Sequence, residues 1–227
     1  MRKHLKALSI EVLSEEVIRA DIKDNGFEVQ SSVRTIHTHG LVIASGTRAK
    51  RLTSIEIPDT LRHRILYEVY PIRKISGRRV VIIGSGDAAL DYALTLQERN
   101  HVTILNRGKT WKCLGLLWRR AQACERILCA DTAEVRQILP GTSGDILLRT
   151  TARRGPEDIQ TDYVIIAVGR QPETSFVSPR LADMTGQKST EGLLHLAGDV
   201  RGDRMRQVAI AVGDGITAAM RFASVGR

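Results

Sequence analysis

Short, wholly apolar runs alternate along this chain with longer segments of mixed polarity. Leu41-Val42-Ile43-Ala44, Val80-Val81-Ile82-Ile83 and Val164-Ile165-Ile166-Ala167 are rich in β-branched residues and end at or near glycine, the pattern of parallel strands buried on both faces. From Asp87 to Arg99 the period changes: Ala89, Leu90, Ala93, Leu94 and Leu96 recur at helical spacing with polar residues between them, which predicts a helix laid on a sheet. His101 to Leu105 (HVTIL) reads as another strand, so residues 78–107 give strand, glycine turn, helix and strand within the length of one βαβ unit. Weaker, alternating runs at Phe27-Glu28-Val29 and Asp145 to Arg149, beside Asn25-Gly26 and Pro140-Gly141, predict antiparallel hairpins next to the main sheet. The alanine-rich segment from Arg206 to Phe222, with Gly213 and Gly215 inside it, predicts a helix whose small residues permit close backbone contact.

At 227 residues the chain accommodates one large domain or two small ones. With 42% hydrophobic and 26% charged residues it is neither a disordered tail nor a collagen-like or mucin-like chain. The longest stretch free of Asp, Glu, Lys and Arg is Thr35 to Thr47, short of the ~20 apolar residues a spanning helix needs, so no membrane association is expected. The basic start Met1 to Lys6 runs into the acid-rich Glu11 to Glu16 without the apolar core of a signal peptide. Cys113, Cys124 and Cys129 are odd in number and lie mid-chain, which is no disulfide framework and points to the reducing cytoplasm. The net charge of +9 is spread as single and paired arginines, so nucleic acid is not the expected partner.

Gly84-Ser85-Gly86-Asp87-Ala88-Ala89 follows a β-branched strand and opens a helix, the context that makes GxGxxA a dinucleotide fingerprint. Gly84 allows the tight turn, Gly86 lets backbone approach a pyrophosphate, and Ala89 lets the helix press on the strand. The helix start adds N–H groups and partial positive charge for phosphates. Where an NAD enzyme places a carboxylate for the adenosine ribose, this chain has Asn106-Arg107-Gly108-Lys109; two cations and no acid favour NADPH over NADH. Asp87 and Asp91 suit a helix start with or without a ligand and are given no catalytic role.

Four stretches in order carry a family resemblance: Leu41 to Thr47 with Ala44, Ser45 and Gly46; Val81 to Ala89; Asp162 to Pro172 with Val168, Gly169 and Arg170; and Leu196 to Val200 with Gly198 and Asp199. The last continues into Arg206-Gln207-Val208-Ala209 and Gly213-Asp214-Gly215. Together they resemble the flavin-dependent pyridine nucleotide-disulfide oxidoreductases of the low-molecular-weight, thioredoxin-reductase-like kind, including ferredoxin-NADP reductases built on that scaffold. The resemblance implies an α/β chain in which a Rossmann-like, three-layer NAD(P)-binding domain at residues 73–189 is inserted in an incomplete FAD-type Rossmann-like domain made of residues 1–72 and 190–227. It also implies that Asp199 meets the ribityl and pyrophosphate region of FAD and that the backbone of Gln207 to Ala209 meets the pyrimidine edge of the ring.

Two departures shape the expected function. The family's flavin lobe opens with its own strand, glycine turn and helix, and no such element precedes Leu41; residues 1–40, with Leu8 to Val12 and Val17 to Ala20, resemble the segment that the family places after that element. The chain is therefore expected to lack at least a βαβ unit, roughly 30 or more residues, through truncation, a misplaced start or an interrupted gene. A homodimer, or a separate chain supplying the FAD-binding segment, would cover the exposed edge. Secondly, alignment on Tyr67 puts Glu68 and Pro71 where thioredoxin reductases carry their redox cysteines, and the chain has no CxxC; without a thiolate carrier it should not reduce thioredoxin.

Cys124 and Cys129 lack the further ligands a metal site needs, as do His37 and His39; they read as structural thiols and as polar residues on one strand face. Trp111 and Trp118 read as packing anchors on a helix. No metal is expected, and no side-chain acid or base is demanded. The sequence thus predicts an NAD(P)H-dependent module that passes hydride to FAD and electrons to an acceptor other than thioredoxin. The alternative is a flavin-free nucleotide-binding chain or non-catalytic partner subunit.

Overall fold

The structure, a computed structural model, describes residues 5, 7–152, 158–185, 193–202 and 206–225. Its strands are β1 (Val17–Lys23), β2 (Gly26–Ser31), β3 (Thr35–Thr38), β4 (Leu41–Ile43), β5 (Thr47–Ala49), β6 (Ile65–Leu66), β7 (Arg79–Ile83), β8 (His101–Leu105), β9 (Ile127–Ala130), β10 (Ala133–Pro140), β11 (Ile146–Ala152), β12 (Asp158–Thr161), β13 (Tyr163–Ile166), β14 (Arg170–Pro172) and β15 (Leu194–Leu196). The helices are α1 (Asp87–Leu96), α2 (Gly115–Gln122), α3 (Pro179–Thr185) and α4 (Val208–Val225). The chain divides into two compact units, one of residues 1–48 and 171–227 and one of residues 49–170.

The central unit is built on a parallel sheet in the order β6-β13-β7-β8-β9. Strand alternation sends Val80 and Ile82 to one face and Val81 to the other. On the first face Ala89, Leu90, Ala93 and Leu96 of α1 and Ala121 of α2 close over Val80, Ile82, Val102, Ile104 and Ile165. Leu90 and Leu96 are essentially inaccessible, each contributing about 1.5–3 kcal/mol of burial. On the second face Val81, Leu105, Val164 and Ile166 meet Val135, Ile138, Ile146 and Leu148 of the antiparallel meander β10-β11-β12. Helices, parallel sheet and meander make three layers.

In the other unit, β1-β2-β3 form an antiparallel sheet, and β4 pairs in parallel with β15 through Leu41↔Leu194 and Leu196↔Ile43. Its core joins Ala20, Phe27, Ile43, Leu181, Leu194 and Val200. Ser178 begins α3: its Oγ accepts from Leu181 N–H at 3.2 Å and donates to Asp21 Oδ1 at 2.6 Å, tying α3 to β1.

The expected parallel strands, the fingerprint helix and both hairpins are present. The units part after residue 48, where 72/73 was expected, and again after residue 170. Leu52, Ile55, Ile57, Leu61, Ile65 and Tyr67 pack into the central unit's second core. Phe176, Val177 and Leu181 pack into the outer unit's core. The expected boundary after residue 189 and most of Met1 to Lys6 lie outside the described residues. The last helix starts at Val208 rather than Arg206 and runs to Val225. Trp111 precedes α2, its ring centroid 4.6 Å from that of Trp118. His39 falls beyond β3. Among the described residues no helix is long and apolar enough to cross a membrane, and no cluster of three metal-ligating side chains occurs.

Candidate functional site

The chain leaves β7 toward α1, β8 and β9 on one side, while β13 and β6 lie on the other. The carboxyl ends of β7 and β13 therefore flank a topological switch point, where open α/β sheets form their ligand crevice. Gly84 sits there at φ +148. Its N–H donates to Leu105 O at 3.0 Å, and the neighbouring Ala167 N–H donates to Ile83 O at 2.8 Å. A Cβ on Gly84 would stand 2.2 Å from Ala167 O; no side chain fits so close an approach of two backbones.

Gly86 precedes α1 in an extended conformation (φ −93, ψ 179), and no side chain caps this helix start. A Cβ on Gly86 would find only Lys112 O, at 3.8 Å. The protein interior therefore makes no steric demand for glycine at 86, in contrast to 84. What the missing Cβ leaves open is the approach to the α1 terminus, where N–H groups and the helix dipole favour an anion. Ser85 is half-buried, Asp87 and Ala88 are exposed, and Ala89 is fully buried against the sheet.

The segment after β8 is fastened to this turn. Lys112 N–H donates to Ser85 O at 2.8 Å, and Leu114 N–H donates to Asp87 Oδ1 at 2.7 Å. Asn106 is buried, its Oδ1 accepting from Gly108 N–H at 3.0 Å and its Nδ2 donating to Thr110 O at 3.2 Å. It ties the loop internally while Arg107 and Lys109 face solvent, neither in an ion pair among the described residues. Val168 and Gly169 are exposed beyond β13. Gly169 O accepts from Lys50 N–H at 3.0 Å, and Arg170 pairs with Glu68. The central unit thus gathers Gly84 to Ala89, Asn106 to Lys109 and Val168 to Arg170 at one edge of one sheet.

The outer unit gathers a second group. Ala197 N–H donates to Ile43 O at 3.0 Å, extending the β4–β15 ladder so that Ala44 to Gly46 and Gly198-Asp199 leave the same end. Ser45 Oγ donates to Glu173 O at 2.5 Å, and Gly46 O accepts from Glu173 N–H at 3.0 Å. Gly198, at φ +75, approaches α4 so closely that its Cβ would lie 3.3 Å from that of Ala211. Its N–H donates to Asp214 Oδ2 at 3.0 Å, and Asp214 also pairs with Arg201. Asp199 is half-exposed in the turn at Gly198–Arg201. Gln207, Val208 and Ala209 are exposed at the start of α4, and Arg206 Nε is buried with no partner among the described residues.

Burial pushes the Cys129 thiol up to about 11 and raises that of Cys113 as well, with Asp87 adding to the latter. All three cysteines pack against the first core and are free. Sequence reasoning did not single out Tyr92, whose hydroxyl donates to Glu68 Oε2 at 2.6 Å, and saw Glu68 only as a residue in a cysteine's place. No local pattern announces partners 24 and 102 residues apart.

Residues 2–179 match the family model described as pyridine nucleotide-disulphide oxidoreductase. A thioredoxin reductase of Chlamydia trachomatis is 27% identical over 243 residues, covering 97% of this chain and 76% of that protein. A ferredoxin–NADP reductase of Streptococcus pyogenes is 31% identical over 99 residues, 42% of this chain and 30% of the relative. Among solved structures, thioredoxin reductase from T. acidophilum superposes with a TM-score of 0.77 at 26% identity, covering 92% of this chain and 73% of that one. That of Lactococcus lactis, at 20% identity, shares the fold with a TM-score of 0.82 over 97% and 77% of the respective chains. By its sequence match and its fold, this chain belongs to the pyridine nucleotide-disulphide oxidoreductase family.

Proposed function

We propose that this chain is an NAD(P)H-dependent flavin oxidoreductase module, selective for NADPH, whose electrons go to an acceptor other than thioredoxin. The observation that carries the nucleotide part is the contrast between the two fingerprint glycines: Gly84 is demanded by Ala167, whereas Gly86 opens only toward the uncapped start of α1. In this reading the pyrophosphate lies over the Ser85 to Ala89 backbone, which supplies N–H donors and dipole without a counter-charged side chain. Arg107 and Lys109, unpaired among the described residues, stand where a 2′-phosphate needs cations.

For the flavin, the residues present fit. Half-exposed Asp199 can accept from ribityl hydroxyls, and the start of α4 at Gln207 to Ala209 can stabilise negative charge on the ring. The buried Arg206 Nε beside it, without a partner among the described residues, is a donor that an oxygen-bearing ligand would satisfy. A bound flavin supplies hydride acceptance and onward electron delivery. The residues of the chain orient and hold; no titrating side chain is assigned a proton.

The choice of acceptor rests on the thiols. Glu68 and Pro71 stand in the place of a dithiol, none of the three cysteines is spaced CxxC, and Cys113 and Cys129 are held as thiols by burial. A disulfide cannot exchange with a carboxylate.

The test is to mix the purified chain with FAD, remove free flavin by gel filtration and record visible absorbance, then titrate NADPH and NADH by fluorescence. Co-eluting flavin that bleaches on NADPH addition supports the oxidoreductase reading. A colourless peak that still binds NADPH overturns the flavin part and favours the flavin-free chain. No binding of either nucleotide refutes the proposal.

A further inference from the structure

The loop from Asn106 to Leu114 leaves β8 and returns to the fingerprint turn before α2 begins. Its near end is fastened to the segment after β9: Ala133 N–H donates to Asn106 O at 3.0 Å, and Thr132 N–H donates to Gly108 O at 3.0 Å. Its far end lies along the turn through a parallel bridge between Gly86 and Lys112. Two bonds close that end, Lys112 N–H to Ser85 O at 2.8 Å and Leu114 N–H to Asp87 Oδ1 at 2.7 Å, and the second of them depends on a side chain. Asp87 is the first residue of α1, and Leu114 directly precedes α2, so one carboxylate ties the starts of two helices together. Arg107 and Lys109 lie between the two fastened ends, exposed and without an ion pair among the described residues.

We infer that Asp87 is a positioning residue for nucleotide selectivity: by holding Leu114 it keeps the loop that carries Arg107 and Lys109 in a fixed place beside the fingerprint turn, so that these cations meet the 2′-phosphate that distinguishes NADPH from NADH. The inference rests on the nucleotide-site reading above. Two features favour positioning over a general role at the helix start. An acid in the first turn ordinarily serves its own helix, through the dipole; here Oδ1 accepts from an N–H 27 positions along the chain. The same negative charge stands at the terminus proposed to receive a pyrophosphate, where charge alone opposes the ligand. What the carboxylate adds is geometric: a loop already fastened at both ends loses less freedom on meeting a ligand than a loose one, and binds it more tightly for that reason.

Three substitutions separate the bond from the charge. Asp87→Asn keeps an oxygen that accepts from Leu114 N–H and loses the charge, and Asp87→Ala loses both. Leu114→Pro keeps the charge and deletes the donor, at a residue whose φ of −60 suits proline and whose side chain is 62% exposed. The unaltered chain, these variants, and Asp87→Ala added to Arg107→Ala with Lys109→Ala are titrated with NADPH and NADH by fluorescence and melted by circular dichroism. The expected result is a preference for NADPH, read as the ratio of the two Kd values, that falls about threefold to tenfold in Asp87→Ala and Leu114→Pro. It should hold in Asp87→Asn, and Asp87→Ala should lower it no further once Arg107 and Lys109 are gone. Were charge the whole effect, Asn and Ala would act alike and the ratio would rise, NADPH being the more anionic ligand; were helix stability the whole effect, Tm would fall at an unchanged ratio. Either result, or a fall that persists without the two cations, overturns the inference while leaving the nucleotide site intact. Leu114→Pro carries the test if Asp87→Ala does not fold. If the unaltered chain binds no NADPH, or binds both nucleotides equally, the selectivity reading falls, and the inference with it.

Discussion

The two fingerprint glycines should separate under the same substitution. In Gly84→Ala the new methyl group meets Ala167 O at 2.2 Å and its carbonyl carbon at 2.8 Å, on a backbone at φ +148. Neither neighbour can retreat cheaply, because Gly84 N–H is bonded to Leu105 O and Ala167 N–H to Ile83 O. A disfavoured φ costs about 1–3 kcal/mol and local overpacking about as much, a total of roughly 2–6 kcal/mol. At about 2–4 °C per kcal/mol for a chain of this size, the melting of the central unit should fall by roughly 5–20 °C. In Gly86→Ala the backbone (φ −93, ψ 179) suits alanine and the nearest protein atom is 3.8 Å away. A poorer cap and a stiffer unfolded chain offset each other to within about 1 kcal/mol, so its melting should barely move. In the proposed site its methyl group would stand in the path of the pyrophosphate, and NADPH affinity should fall at least about tenfold, or ~1.4 kcal/mol. Thermal melts and NADPH titration of both variants decide it. Gly86→Ala binding NADPH normally, or Gly84→Ala melting normally, refutes the division of labour between the two glycines.

Arg107→Glu with Lys109→Glu should erase the preference for NADPH over NADH without altering stability, both side chains being exposed; comparing the two Kd values checks this, and an unchanged ratio counts against the 2′-phosphate assignment. Asp199→Ala should lower the flavin retained on gel filtration while leaving NADPH titration unaffected, since the residue belongs to the other unit. Asp21 is held down to about 2 from its ordinary 3.8, first by the Ser178 hydroxyl and then by Arg19 and the Ile22 N–H. A depressed carboxylate stabilises the fold fully above its unfolded pKa and loses that contribution as pH falls from about 4 toward 2. Asp21→Asn should therefore melt lower than the unaltered chain at pH 6 and converge with it near pH 2; a gap independent of pH would assign the effect to something other than the ionised carboxylate.

What was legible in the sequence was whatever local periodicity encodes. Val80 to Ile83 and Val164 to Ile166 could be read as buried parallel strands because both faces had to be apolar, and the structure puts an apolar layer on each. The strand, glycine turn and helix around Gly84 to Gly86 were legible because the apolar run gives way to helical spacing just there. Unit boundaries were not legible: residues 49–72 pair and pack with β13 and the meander, contacts made far along the chain. Asn106 is buried and shapes the turn that presents Arg107 and Lys109, a role that its place in a polar run does not announce. The Glu68 network was invisible because its three members share no periodicity and meet only through sheet order.

Sheet order also explains why the candidate site gathers at one edge and not the other. At the amino edge the chain pairs most of its own polar groups. Arg79 N–H donates to Asp162 Oδ2 at 2.8 Å, its guanidinium pairs with Asp145 at 3.2 Å, and Thr161 Oγ1 donates to Arg79 O at 2.8 Å. Asp145 Oδ1 is the buried oxygen there that lacks a partner. At the carboxyl edge the balance is reversed: α1 begins without a side-chain cap, Gly86 leaves its approach open, and Arg107 and Lys109 face outward. A fold that neutralises one end of its sheet internally while leaving donors and positive charge unspent at the other has put its anion-binding capacity in one place. Because β6, β7, β8 and β13 run parallel, the segments after them are delivered to that same edge. Binding chemistry can thus be assembled from residues 84–89, 106–109 and 168–170, although no two of those stretches adjoin in the chain.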